Sequence, residues 1–205
     1  MRESGTEVSH QAWARGSRWG MKHRSSRAFF AYWDEKRGCA RAPDRSEFEP
    51  EAVRELLGDI FVLSYDAAAG YPFRVAGTRV SALFGCDLKD RSFSELFKPD
   101  GRREIEEIIA VVAEEMLAAI AGITAIAQDG SRVPLELLLL PFSPRAYAPL
   151  SLTGLLAPFE PRHHWLRELE ITSWRYLGHP PQKLVPRTLR KLAVARGVVG
   201  YEGLR

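Results

Sequence analysis

The chain has few cysteines and no long apolar run, and both absences limit what kind of protein it is. Only Cys39 and Cys86 occur among its 205 residues, far apart in sequence. No apolar run approaches the roughly 18 residues that a membrane span needs, and the first residues lack the apolar core of a signal peptide. We therefore expect reduced thiols rather than a disulfide, no membrane span, no export and a cytoplasmic protein.

Recognisable catalytic and metal-binding motifs are also missing. The sequence contains no glycine-rich phosphate loop and no Ser/His/Asp set in a familiar context. Adjacent residues such as His163-His164 point to different faces of any regular element, so we expect polar loop residues there rather than two ligands of one metal. The sequence predicts a protein that is not an enzyme, with no catalytic residues and no metal site.

Charge is distributed unevenly along the chain. Lys and Arg outnumber Asp and Glu by ten to six in residues 1–47 and by nine to three in residues 161–205. In residues 48–160 the acids outnumber the bases by seventeen to ten. The basic ends are interpreted either as arms that bind nucleic acid or acidic partners, or as solvated tails. We favour tails because neither end has a run of consecutive basic residues.

Hydrophobic periodicity divides the middle of the chain into alternating helices and strands. Two helices come first, then two strands, short helical turns, a long helix from Pro99 to about Ala121, and three more strands. This order predicts an α+β domain with a five-stranded antiparallel sheet, helices on one face and N-terminal helices before it. The predicted segments are a disordered basic N-terminal arm (1–24), an N-terminal helical cap (25–58), the α+β domain (59–160) and a basic C-terminal extension (161–205).

The residues expected around a pocket are centred on the stretch 70–85. There the spacing of apolar residues changes at Gly77 from that of a strand to that of a helix. The expected pocket walls are apolar side chains of this stretch, the long helix and the fourth strand: Val75, Val80, Leu83, Phe84, Ile108, Val112, Leu137 and Leu139. The alternative is that the same side chains simply fill the core, as close packing favours. Arg74 and Arg79 are the polar candidates: each either clamps an acidic ligand or pairs with Asp66 or Asp87.

The first predicted helix, from about Arg27 to Lys36, carries an unusually aromatic face. Its large rings belong to Phe29, Phe30, Tyr32 and Trp33. Such a face must be covered, either by the domain behind it or by a second copy of the protein. We take these four residues as the candidate dimer or partner surface.

In this order the segments resemble a PAS domain, and more narrowly a family of small bacterial proteins whose PAS domain follows an N-terminal Tyr-Trp helix. The resemblance covers about residues 27–178. It rests on an ordered set of short matches: Tyr32-Trp33, Arg37-Gly38, Pro43-Asp-Arg45, Phe61-Val-Leu63, Phe73-Arg-Val-Ala-Gly-Thr-Arg79, Leu83-Phe-Gly85, Leu88-Lys89, Glu136-Leu-Leu-Leu-Leu-Pro141 and Gly154-Leu-Leu-Ala-Pro158.

The resemblance implies a bacterial signalling or regulatory protein without an output domain of its own. Such a protein acts by sensing a small ligand between sheet and helices, by protein–protein interaction, or by both, and is expected to form a homodimer and to bind other signalling proteins. Flavin is not expected because Gly85-Cys86-Asp87 differs from the Asn-Cys-Arg-Phe type of motif, and haem is not expected because residues 100–121 contain no His. The alternative function is a nucleic-acid-associated protein that uses the basic ends.

Overall fold

The computed structural model describes residues 20–143, 150–161, 165–177, 189–193 and 199–203. The three α-helices are α1 (Arg24–Arg37), α2 (Thr78–Phe84) and α3 (Pro99–Glu114). Three short 3-10 helices span Arg45–Glu47, Pro50–Val53 and Ser94–Leu96. The strands are β1 (Ile60–Ser64), β2 (Phe73–Ala76), β3 (Ala118–Ala127), β4 (Arg132–Pro141), β5 (Ser151–Pro158), β6 (Leu166–Leu177), β7 (Leu189–Ala193) and β8 (Val199–Gly203).

Strands β1 to β6 form one antiparallel sheet in the order β2-β1-β5-β4-β3-β6. Two pairs of consecutive strands form hairpins, β1 with β2 and β3 with β4. The second turns at Asp129-Gly130, where Gly130 has a φ of 81°, a conformation that glycine adopts without steric cost. The predicted α+β, PAS-like fold is therefore confirmed.

The long helix is shorter than the sequence predicts. Helix α3 ends at Glu114, and Met116 has a φ of 55°, which no helix can continue. The segment Ala118–Ala127, of which the first four residues were assigned to the helix, forms a strand paired with β4 on one side and β6 on the other. Two ladders of backbone hydrogen bonds thus override the helix propensity of its alanines.

The sheet has a sixth strand that the prediction placed in the C-terminal extension. Strand β6 pairs along the whole length of β3 and buries Leu166, Leu169 and Leu177. Its other side chains are mostly exposed, as an edge strand allows. The folded domain therefore continues to residue 177 rather than ending at 160.

Each face of the sheet is covered by a different set of helices. Strand β4 shows this directly, because Leu137 and Leu139 face the inner layer under α2 and α3 while Leu138 and Leu140 face the outer layer under α1. We call these two sides the inner face and the outer face. The helices predicted to lie on one face of the sheet are α2 and α3 on the inner face. The N-terminal helix α1 covers the outer face.

Only parts of the two ends of the chain are described. Residues 1–19 and His163-His164 lie outside the described residues, whereas Met21, within the predicted N-terminal arm, is buried. The described part of residues 180–205, within the predicted basic C-terminal extension, is a two-stranded sheet of β7 and β8. Among the described residues, no helix has the length and apolar character needed to cross a membrane.

Candidate functional site

The inner face carries most of the predicted pocket residues, and they are packed into the core. Val80, Ile108, Val112, Leu137 and Leu139 each expose 2% or less of their surface. Leu83 and Phe84 are partly buried and pack against the same cluster. This is the arrangement expected of side chains that fill the core.

Four phenylalanines occupy the middle of this inner layer. The rings of Phe61 and Phe93 stack with centroids 5.2 Å apart, and Phe73 lies 5.5 Å from each of them. Phe97 meets Phe93 at 5.4 Å. All four are at least 98% buried, so edge-to-face and stacked aromatic contacts form the middle of the inner layer.

Two of the predicted pocket residues do not face the interior at all. Val75 is 58% exposed and Arg74 is also exposed. The cause is an irregularity in the β1–β2 ladder, where Val62 pairs with Val75 but Leu63 pairs with Phe73. The extra residue, Arg74, forms a bulge that turns Val75 away from the side that Phe73 faces. Val75 and Arg74 therefore do not face the inner layer, where the sequence predicts the pocket walls.

Arg79 has a structural partner that the sequence did not indicate. Its guanidinium binds both carboxylate oxygens of Asp59, at 2.6 and 2.9 Å, and donates to the carbonyl of Glu55. The proposed partners Asp66 and Asp87 instead accept backbone N–H groups of their own turns. The pair joins α2 to the loop before β1.

The aromatic face of α1 packs on the outer face of the sheet of its own chain. Phe29, Phe30 and Trp33 are at least 97% buried there. The indole N–H of Trp33 donates to the carbonyl of Pro141 at 2.7 Å. Tyr32, half-buried, donates to the carbonyl of Glu47. Of the two covers considered for this face, the domain itself is the one observed, so these side chains do not form a free partner surface.

A buried carboxylate fixes the start of α1, and the sequence analysis did not identify it as a site residue. Glu136 of β4 is 4% exposed. Its two oxygens accept the backbone N–H groups of Lys22 and His23 at 2.7 and 2.9 Å. The sequence did contain a sign of this role, because Glu136 is an acid within a run of apolar residues. A carboxylate buried in such a strand requires hydrogen-bond donors.

His23 closes the first turn of α1 from the same place. Its Nδ1 accepts the N–H of Ser25 at 3.1 Å, so the ring acts as an N-cap. Burial lowers the pKa of His23 from its ordinary value of 6.5, and this outweighs the opposing effect of the nearby Glu136. The neutral ring is the form that accepts this bond.

Two cavities lined by described residues open on the outer side of the sheet, and Lys22 and Phe159 line both of them. The smaller, of about 360 Å³, lies against β3 and β6 and includes Glu136 and Thr124 in its lining. The larger, of about 910 Å³, lies between the start of α1, Arg79 and the end of β5. Apart from Arg79, none of the predicted pocket residues lines either cavity.

The described residues include both cysteines of the chain and side chains of the types that bind metals. Cys39 is exposed and Cys86 is half-buried, and both are free thiols. The sulfur of Cys86 lies 2.8 Å from a guanidinium nitrogen of Arg91. Within the described part of the chain, no three His, Cys, Asp or Glu side chains converge as a metal site would require.

Comparison with known proteins relates this arrangement to one family. A family profile described as "PAS domain" matches residues 21–157. The comparison with curated proteins gives no match.

The comparison with solved structures gives matches at low sequence identity and low TM-score. The light-state structure of the blue-light photoreceptor Aureochrome1 LOV is 12% identical, with a TM-score of 0.41, over 54% of this chain and 88% of that one. A PAS domain from Colwellia psychrerythraea is 16% identical, with a TM-score of 0.39, over 54% and 98%. The PAS domain of an HTR-like protein from Haloarcula marismortui is 18% identical, with a TM-score of 0.37, over 53% and 91%.

Proposed function

Because the chain belongs to the PAS domain family, whose members are generally sensory, we propose that it is a bacterial regulatory protein that signals through protein–protein contact. In this proposal α1 is the element whose packing on the outer face changes when a partner binds. The first partner is a second copy of the chain, since PAS domains commonly mediate dimerisation.

The observation that carries this proposal is the separate attachment of α1 to the sheet. The helix forms a layer of its own, opposite α2 and α3. Its polar attachments to the strands include two in the described part of the chain: Glu136 binds the residues just before it, and Trp33 binds Pro141. We propose that a partner shifts this layer as a unit while the sheet keeps its own hydrogen bonds, which is a recurrent form of conformational switching.

The packing of the inner face supports contact rather than a ligand between the sheet and α2 and α3. Phe61, Phe73, Phe93 and Phe97 already occupy that layer. A partner that binds α1 would approach its outward side, because the aromatic side faces the sheet. Ala31 and Glu35 lie on that outward side and are partly or fully exposed.

Native mass spectrometry of freshly purified protein tests the proposal, because it reads oligomer mass and retained small molecules together. We expect a dimer without additional mass. Ala31→Arg places a long cation on the outward side of α1 and is expected to raise the dimer dissociation constant about tenfold or more. Ala68→Arg, in the exposed turn after β1, is the matched control and is expected to leave it unchanged.

Other results would count against the proposal. A monomer at all accessible concentrations contradicts the homodimer. Equal weakening by both substitutions contradicts α1 as the contact element. A stoichiometric additional mass that leaves only when the inner core unfolds contradicts the filled inner layer and favours ligand sensing there.

A further inference from the structure

The larger cavity on the outer side has features of a ligand site, and it lies on the opposite face of the sheet from the pocket expected between sheet and helices. Its volume of about 910 Å³ is within the range of about 300–1,000 Å³ typical of small-molecule sites. Three separate parts of the chain line it: the residues around the start of α1, the loop before β1 together with Arg79, and the end of β5. It is therefore a product of the tertiary fold rather than of one helix end.

The lining carries an excess of positive charge. Four cationic side chains line the cavity against two carboxylates: Lys22, Arg24, Arg27 and Arg79 against Glu55 and Asp59. The two carboxylate oxygens of Asp59 bind Arg79. Among the described residues, no carboxylate pairs with the exposed side chains of Lys22 and Arg24.

The same cavity has an apolar wall beside these cations. Phe159 lines it and leaves 39% of its surface exposed. The ring of His23 meets its edge, with centroids 5.8 Å apart. Leu56 and Pro158 extend the apolar surface on either side.

We propose that this cavity binds a small organic phosphate, with the phosphate on Lys22 and Arg24 and an apolar ring against Phe159. A phosphate monoester carries a charge of about −1.5 to −2 at pH 7, which matches the excess of two positive charges in the lining. Charge-assisted hydrogen bonds from ammonium and guanidinium groups are the usual means of holding such a group. Burial lowers the pKa of His23, whose ring packs against Phe159.

Calorimetric titration of the full chain with three probes tests the site: AMP, adenosine and inorganic phosphate. We expect saturable binding of AMP, with adenosine and phosphate each weaker, because each supplies only one of the two contacts. Lys22→Gln with Arg24→Gln is expected to raise the Kd for AMP about tenfold or more. Phe159→Ala is expected to weaken AMP and leave phosphate unchanged.

The matched control removes the same charge elsewhere. Arg74 and Lys89 are exposed and lie outside the cavity lining, so Arg74→Gln with Lys89→Gln is expected to leave the Kd for AMP unchanged. The proposal is overturned if AMP does not saturate below about 1 mM, if the control weakens binding as much as the Lys22/Arg24 pair does, or if phosphate binds as tightly as AMP. These outcomes are independent of the oligomeric state, so they are distinguishable from a failure of the proposed dimer.

Discussion

Glu136 is one of few charged side chains that the described fold buries, and both of its oxygens accept backbone N–H groups that precede α1. Glu136→Gln replaces one acceptor with an amide donor, so one N–H group loses its partner in a buried place. We expect the free energy of unfolding to fall by about 1–3 kcal/mol. Faster hydrogen exchange is expected over residues 21–30, measured by mass spectrometry.

The matched control for this change is Glu115→Gln, at an exposed position after α3, where a change within about 0.5 kcal/mol is expected. Exchange that rises evenly over the whole chain, or not at all near α1, would show that Glu136 does not hold the start of this helix. The comparison therefore separates local attachment from general stability.

His23 predicts a pH dependence whose sign follows from its lowered pKa. The unfolded chain binds the proton with the ordinary pKa of 6.5, and the folded chain binds it only at lower pH. Protonation therefore favours unfolding, and the stability from this group is present above pH 6.5 and is lost as the pH falls through the folded pKa. The facing charges are Glu136, Asp59, Arg24 and Arg27.

His23→Asn keeps a side-chain cap for Ser25 and removes the titrating ring. We expect the wild type to lose more stability than this variant between about pH 7.5 and pH 5.5, measured by urea unfolding at each pH. Parallel loss in both proteins would assign the pH dependence to other groups.

At the level of elements, the bulge in β2 turns Val75 away from the inner face. The free energy of unfolding should therefore depend on Ile108, which is buried there, and hardly on Val75. Ile108→Ala opens a hole in a packed layer, and we expect it to lower the free energy of unfolding by about 2–5 kcal/mol. Val75→Ala removes an exposed side chain and is expected to change it by less than about 0.5 kcal/mol. Urea unfolding of both variants measures the two changes, and a large loss from Val75→Ala would contradict the bulge.

The elements differ in how far local sequence could predict them. The Asp129-Gly130 hairpin and the end of α2 at Gly85, which has a φ of 66°, were predictable because each depends on neighbouring residues. The bulge at Arg74 and the strand at Ala118–Ala127 were not, because the deciding contacts come from other strands. In the same way the sequence left Arg79 either an acidic ligand or an ion pair with Asp66 or Asp87, and only the fold brings Asp59 to it.

At the scale of the whole molecule, β6 makes the folded unit longer than the sequence predicted. A chain ending at residue 160 leaves the edge of β3 unpaired and removes Leu166 and Leu169 from the core. We expect it to aggregate or lose cooperative unfolding. A chain ending at 178 retains the six-stranded sheet and is expected to unfold cooperatively, as followed by far-ultraviolet circular dichroism on heating.

Stable, cooperative folding of the shorter chain would show that β6 is an appendage to a five-stranded domain. The chain ending at residue 178 also lacks β7 and β8, so its folding tests whether these two strands contribute to stability. A chain ending at 178 that fails to fold would assign these strands a part in the stability of the domain.

The distance in sequence between α1 and its support has a consequence for how the protein is made. Trp33 and its partner Pro141 are separated by 108 residues, and Glu136 is still further from Lys22. A ribosome adds about 5–20 residues per second, so the aromatic face of α1 exists for several seconds before β4 and β5 have emerged to cover it. During that interval it is an exposed apolar surface of the kind that chaperones bind. We therefore expect newly made chains of this protein to need such protection until β4 and β5 have been made.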